Sequence, residues 1–175
     1  MKFGICLNMN AAGPDGTGIE AVEKMAAAGF DYVELPLAEM SALSDEAFKR
    51  LESRVKAAGI PCETCNNFFP KTMRLTGAAA DHAGALSYAR AALDRAARLG
   101  ARVVVFGSGG AKNVPEGFPL EEGFRQVAAL LRELAPLVKE RGIAIAIGAM
   151  VSVGDRFQSV SRMLSDCGIC STVTT

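Results

Sequence analysis

The stretch "AARLGARVVVFG" (residues 96–107) holds a helix end, a glycine and an apolar strand within twelve residues. Gly100 stands where a helix is expected to stop, because glycine adopts the left-handed cap conformation without a side-chain clash. The apolar run 103–106 that follows is typical of a strand covered on both faces. The stretch therefore predicts a helix that leads directly into a parallel strand.

The same junction occurs in "MAAAGFDYVELP" (25–36), "VKAAGIPCETC" (55–65) and "VKERGIAIAIG" (138–148). Apolar residues recur at helical spacing before each glycine, and Pro136 is expected to kink or divide the fourth helix. With the opening "KFGICLN", the pattern predicts five strands, at about residues 2–8, 31–37, 60–66, 101–107 and 143–148. Strands that alternate with helices predict the α/β class with a parallel sheet.

Two architectures fit this alternation. One is a five-stranded doubly wound domain; the other is a run of (β/α) units from a TIM barrel, truncated after about five strands, since a whole barrel takes roughly 250 residues. In both, the carboxyl ends of the strands form one rim. The candidate substrate-binding residues on that rim are Glu34, Asn66, Asn67, Gly107, Ser108, Gly109 and Lys112.

Each candidate has a reason in its chemistry. A carboxylate such as Glu34 among apolar neighbours is costly unless it is paired or used. Asn66 and Asn67 exchange hydrogen bonds with hydroxyl groups, or else satisfy a turn. The loop "GSGGAK" (107–112) lacks the spacing of a Walker motif, so it is either a rim loop whose amides face substrate oxygens or a tight turn that needs glycine.

Several segments together resemble one family. "FGICLN", "DYVELPL", "NNFFPKTMRLTG" and above all "VVVFGSGGAKNVPEGF" are similar, in order and spacing, to the xylose isomerase-like TIM-barrel superfamily. The closest resemblance is to its sugar isomerases and epimerases of the tagatose 3-epimerase and hydroxypyruvate isomerase type. It covers residues 1 to about 147.

The resemblance implies a divalent metal, Mn, Mg or Co, at the barrel mouth. It also implies epimerisation or aldose–ketose isomerisation of a small sugar or hydroxy-ketone through an enediolate. The first metal ligand of the family is a glutamate of a Glu-Pro pair that ends strand five, but Gly148 and Ala149 stand there. Strands that would carry the other three ligands have no counterpart. The expectation is a chain with no catalytic residue, no metal ligand and no cofactor of its own.

The resemblance divides the chain into a partial barrel (1–147) and an atypical tail (148–175). The tail is rich in serine and threonine, and a shifted reading frame would turn Glu-Pro codons into Gly-Ala codons. A natural short form is the other interpretation. A natural short form would have a different function, that of a non-catalytic α/β domain that binds a small anion or flavin at the glycine loop.

Composition narrows the classes of partner. Nineteen basic and nineteen acidic residues cancel, which disfavours nucleic acid as a partner. No signal peptide or membrane span is expected, so the prediction is a cytoplasmic protein with reduced thiols. Unpaired strand edges predict a homo-oligomer. The "CETC" motif (62–65) is expected to hold no zinc, because strand residues three apart face opposite sides.

Overall fold

A computed structural model describes residues 1–8 and 20–147. Its strands are β1 (Gly4–Cys6), β2 (Tyr32–Pro36), β3 (Cys62–Asn66), β4 (Val103–Val105) and β5 (Ala144–Ala146). Its helices are α1 (Glu20–Ala27), α2 (Leu37–Ser41), α3 (Asp45–Ala58), α4 (His82–Arg98), α5 (Gly109–Lys112) and α6 (Leu120–Glu140). The predicted α/β class and the five predicted strands are confirmed.

The strand order decides between the two architectures. The five strands are parallel and lie in the order β1-β2-β3-β4-β5. A doubly wound sheet reverses its order at a switch point, so that alternative is wrong. Each strand is instead added on the same side of the previous one, as in the wall of a TIM barrel.

The four junction glycines end their helices as predicted. Gly29, Gly59, Gly100 and Gly142 all have positive φ, between 64° and 85°. An L-residue with a side chain rarely adopts this conformation, so each glycine lets the chain leave its helix and enter the next strand within a few residues. At the other end of α3, Ser44 Oγ accepts a hydrogen bond from the Ala47 amide at 3.2 Å.

The register of the sheet separates its two faces. Cys6, Glu34, Thr64, Val103 and Ala144 lie side by side in one transverse row. The neighbouring row, on the opposite face, packs against the helices and contributes Leu35, Cys65 and Val104 to the apolar core, with the partly buried Ile145 packed against it. Among the described residues no helix covers the first row, which corresponds to the inner surface of a barrel.

Two details differ from the sequence expectations. Helix α6 continues through Pro136, which does not divide it. Pro136 faces solvent, while the buried Leu134 and Leu137 on either side keep the apolar stripe of the helix packed on the core. The short helix α2 follows β2 directly, and α5 follows β4 after three residues; neither helix was predicted.

Two sequence predictions concern the ends of the molecule. The proposed tail, 148–175, lies outside the described residues. Within the part of the chain that the structure describes, β1 and β5 are the outer strands of the sheet, so the association through strand edges stays a prediction. None of the helices in that part is long and apolar enough to cross a membrane.

Candidate functional site

A polar cluster lies toward the carboxyl ends of β1, β2 and β3. Asn66 Nδ2 donates a hydrogen bond to Glu34 Oε1 at 2.9 Å and lies 2.7 Å from Cys6 Sγ. Cys6 and Glu34 are register partners, and Asn66 is two residues beyond Thr64, so all three side chains belong to the inner face. The structure thus brings together two of the predicted residues, Glu34 and Asn66.

Cys6 is a member of this cluster that the sequence reasoning missed. Partial burial, and then the hydrogen bond to the Glu34 carboxylate, raise the pKa of the Cys6 thiol. The thiol therefore stays protonated at neutral pH and acts as a donor to Glu34. No direct signal for Cys6 was present in the sequence, because its position beside Glu34 is set by the register of β1 against β2.

Asn67 does not join Asn66. Its Nδ2 is 3.1 Å from both carboxylate oxygens of Glu39 on α2, and its carbonyl accepts from the Ala38 amide at 3.0 Å. The φ of Asn67 is 49°, in the left-handed region that asparagine tolerates better than most residues. Asn67 thus fastens the end of β3 to α2, away from the polar cluster.

The predicted glycine loop forms the turn into α5. Ser108 is buried, and its Oγ accepts a hydrogen bond from the Phe69 amide at 2.9 Å. Lys112 Nζ donates to the Phe106 carbonyl at 3.0 Å and lies over the Phe106 ring, and burial lowers the pKa of Lys112. The Ser108 and Lys112 side chains therefore contact residues of the protein that hold the loop in place.

The glycines of this loop do not serve a left-handed turn. Neither Gly107 nor Gly110 has a positive φ. A Cβ added to Gly107 would meet no atom within 4 Å, whereas one added to Gly110 would lie 2.8 Å from Lys71 Cβ. Gly110 is thus required by the close approach of the β3–α4 connection, which the sequence did not reveal.

That connection and the glycine loop are fastened together. The Leu75 amide donates to the Ala111 carbonyl at 3.0 Å, and Thr76 Oγ1 donates to the Asn113 carbonyl at 2.7 Å. Gln126 of α6 bonds both the amide and the carbonyl of Gly77. The two segments also contribute buried aromatic side chains that pack against one another: Phe68, Phe69 and Phe106.

The "CETC" motif behaves differently from the prediction. The register of β2 against β3 passes from Val33↔Cys62 to Glu34↔Thr64, so one residue of β3 is inserted as a bulge. Both sulfurs therefore lie on the buried face, with Cys62 Sγ and Cys65 Sγ 3.9 Å apart. The expectation that they point to opposite faces was wrong. The "CGIC" motif (167–170) lies outside the described residues.

A catalytic divalent metal does not fit the residues that the structure describes. Among them, no three or more His, Cys, Asp or Glu side chains converge in a group that could hold an ion. The polar cluster offers one carboxylate, one amide and one thiol, whereas Mn²⁺ and Mg²⁺ prefer several hard oxygen ligands. The described part of the chain therefore supplies no metal centre.

Comparisons with known proteins agree with this fold. It is similar to a D-psicose 3-epimerase structure determined in the presence of D-fructose, with 19% identity, a TM-score of 0.75, and coverage of 97% of this chain and 61% of that one. A D-psicose 3-epimerase with D-tagatose from Clostridium cellulolyticum H10 gives 17% identity, a TM-score of 0.73, and coverage of 97% and 61%. A 3-keto-D-glucoside 4-epimerase from E. coli gives 15% identity, a TM-score of 0.71, and coverage of 97% and 66%.

The chain thus spans less than two thirds of the length of each of these epimerases. No curated protein matches the sequence. The family description "xylose isomerase-like TIM barrel" matches residues 22–173, which is most of the chain and includes part of the segment set apart as an atypical tail. The chain belongs to the xylose isomerase-like TIM barrel family.

Proposed function

We propose that this chain is a sugar isomerase/epimerase-like protein that binds a small sugar at the carboxyl edge of its sheet. The observation that carries the proposal is the hydrogen-bonded cluster of Cys6, Glu34 and Asn66 on the uncovered inner face. In this family fold, ligands bind at the carboxyl ends of the barrel strands. The structures with which the chain is compared include epimerases determined with D-fructose and D-tagatose.

The chemistry of the cluster suits vicinal hydroxyl groups. Glu34 accepts from Asn66 through one oxygen, and a carboxylate has several further acceptor directions for sugar hydroxyls. The Asn66 amide offers a carbonyl acceptor beside its donor group. Because the two side chains already hold each other in place, a sugar that binds between them does not have to order them.

We further propose that this chain does not catalyse the metal-dependent reaction that its resemblance implies. The described residues do not fit a divalent ion, and Gly148 stands where the resemblance places the first glutamate ligand. Without a metal to polarise the ketose oxygens, we assign no proton-transfer role to Glu34. The parent activity would be epimerisation or aldose–ketose isomerisation of a small sugar or hydroxy-ketone.

Calorimetric titration with D-fructose, D-psicose and D-tagatose tests the binding proposal. We expect dissociation constants of about a millimolar, typical of a few hydrogen bonds to a small neutral ligand. Glu34→Gln keeps the shape of the side chain but removes its charge, and we expect binding about tenfold weaker. Glu46→Gln, on the exposed first turn of α3, is the matched control and should bind like the parent chain.

Three outcomes would contradict these proposals. Equal sugar affinity in the parent chain and in Glu34→Gln would show that the cluster does not bind the sugar. Turnover of D-fructose after addition of Mn²⁺ or Co²⁺ would show that the chain is catalytic. FMN binding at the glycine loop without any response to sugars would favour the non-catalytic anion- or flavin-binding domain instead.

A further inference from the structure

The two connections that follow β3 and β4 carry an excess of positive charge. In the connections 67–81 and 106–119, three basic residues, Lys71, Arg74 and Lys112, outnumber two acidic ones, Asp81 and Glu116, although the whole chain has a net charge of zero. The opposite end of the same edge is acidic, with Glu34 two residues before the end of β2 and Glu39 on α2. The carboxyl edge of the sheet is therefore acidic near β2 and basic near β3 and β4.

Lys71 and Arg74 converge on Gly110. The Cβ of Lys71 packs over Gly110, and Arg74 Nη1 lies 3.5 Å from the Gly110 carbonyl. Gly110 itself is exposed, so its backbone and the two cationic side chains border the same patch of surface. Within the described residues, no carboxylate lies at ion-pair distance from Lys71 or Arg74.

The patch is held in place before any ligand arrives. Hydrogen bonds from Leu75 and Thr76 join the two connections on one side of it, and the bond from the Phe69 amide to Ser108 Oγ joins them on the other. A binding surface fixed in this way loses little conformational freedom when a ligand binds. Lysine and arginine beside an accessible backbone are groups that recognise a phosphate.

We propose that Lys71 and Arg74, beside Gly110, bind the phosphate group of a phosphorylated sugar. The sugar end of this assignment rests on the proposed function, because its hydroxyls would contact Glu34 and Asn66. Lys71 follows Asn66 by five residues on the same connection, so the phosphate and hydroxyl contacts belong to one edge of the sheet. The acidic end of that edge then binds the sugar hydroxyls, and the basic end binds the phosphate group.

The test is an amide-resolved NMR titration of the full chain with D-fructose, D-fructose 6-phosphate and inorganic phosphate. We expect D-fructose 6-phosphate to bind about tenfold more tightly than D-fructose. Inorganic phosphate alone should shift the amides of residues 107–112. Lys71→Gln and Arg74→Gln should each reduce the phosphate advantage about threefold and leave D-fructose binding unchanged.

Lys49→Gln, an exposed lysine on α3, is the control and should keep the full advantage. Equal affinity for the two sugars, or an advantage that survives the Lys71→Gln/Arg74→Gln double variant, overturns the inference. D-Fructose binding without a phosphate advantage would leave the proposed function intact. Phosphate shifts at 107–112 without any response to D-fructose would support the anion site and remove the sugar proposal, and no response to either would remove both.

Discussion

Asn66 and Asn67 are adjacent in sequence but bond to carboxylates on different elements. Asn66 Nδ2 contacts Glu34 of β2 at 2.9 Å, whereas Asn67 Nδ2 contacts both oxygens of Glu39 of α2 at 3.1 Å. The end of β3 therefore has one residue that faces the inner surface and one that fastens the strand to the scaffold. The two asparagines should respond differently to the same substitution.

Asn66→Ala and Asn67→Ala separate these roles. Asn66→Ala should weaken sugar binding several-fold with little change in the urea midpoint. Asn67→Ala should lower the free energy of unfolding by about 1–2 kcal/mol for two reasons. Alanine cannot make the hydrogen bond to Glu39, and it tolerates the positive φ of this position less well than asparagine does. Asn67→Gly, which relieves only the backbone, should recover part of that loss. Equal effects of the two alanine variants on binding and on stability would contradict this division.

The order of the elements could be predicted from the sequence because it depends on local chemistry. Glycines such as Gly59 and Gly100 end helices through their own backbone freedom, and the apolar run 103–106 indicates a strand by itself. The expectation that this strand is covered on both faces was wrong, because only Val104 of β4 is buried and Val103 and Val105 are half-buried. The choice between a barrel and a doubly wound sheet could not be made from these signals. It depends on which strand edges pair, and periodicity carries no information on that pairing.

The site could be predicted only in part for a related reason. Glu34 and Asn66 were found because each is a polar residue near the carboxyl end of a predicted strand. Ser108 and Lys112 were also proposed from their position in the loop, but their contacts with Phe69 and Phe106 depend on tertiary packing. The bulge in β3 is likewise set by its pairing with β2, which explains why the relative position of Cys62 and Cys65 was mistaken.

Alanine substitution distinguishes two glycines of the loop. Gly107→Ala adds a Cβ into open space at a backbone conformation that alanine accepts, so the free energy of unfolding should change by less than about 0.5 kcal/mol. Gly110→Ala places a Cβ 2.8 Å from Lys71 Cβ, so the β3–α4 connection must shift. We expect a loss of about 1–2 kcal/mol, measured by urea unfolding.

The same pair of variants tests whether the packing of Lys71 matters for ligand binding. Gly110→Ala should reduce the affinity for inorganic phosphate, while Gly107→Ala should not. A Gly110→Ala variant as stable as the parent chain would show that Lys71 does not pack tightly over the loop.

Cysteine alkylation reports the state of Cys6. With iodoacetamide at pH 8, peptide mapping should find Cys6 modified in the folded chain, whereas the buried Cys62 and Cys65 react only after unfolding. The raised pKa of Cys6 lowers its thiolate fraction, so it should react more slowly than a free cysteine. Glu34→Gln removes the neighbouring charge, lowers that pKa and should speed the reaction. A slower reaction in Glu34→Gln would contradict the contact between the two side chains.

The buried cysteine pair predicts a loss of stability at alkaline pH. The hydrogen bond to Cys62, and then burial, raise the pKa of Cys65 far above the ordinary thiol value of about 8.5, so the folded state keeps this proton while the unfolded chain loses it. The contribution is complete below about pH 8 and declines above it by up to about 1.4 kcal/mol per pH unit. Urea unfolding of the parent chain and Cys65→Ala from pH 7 to 10 should show a shallower decline in the variant. Val104→Ala, at the register partner of Cys65, should lower stability at every pH without changing the slope, and parallel curves for all three proteins would contradict the prediction.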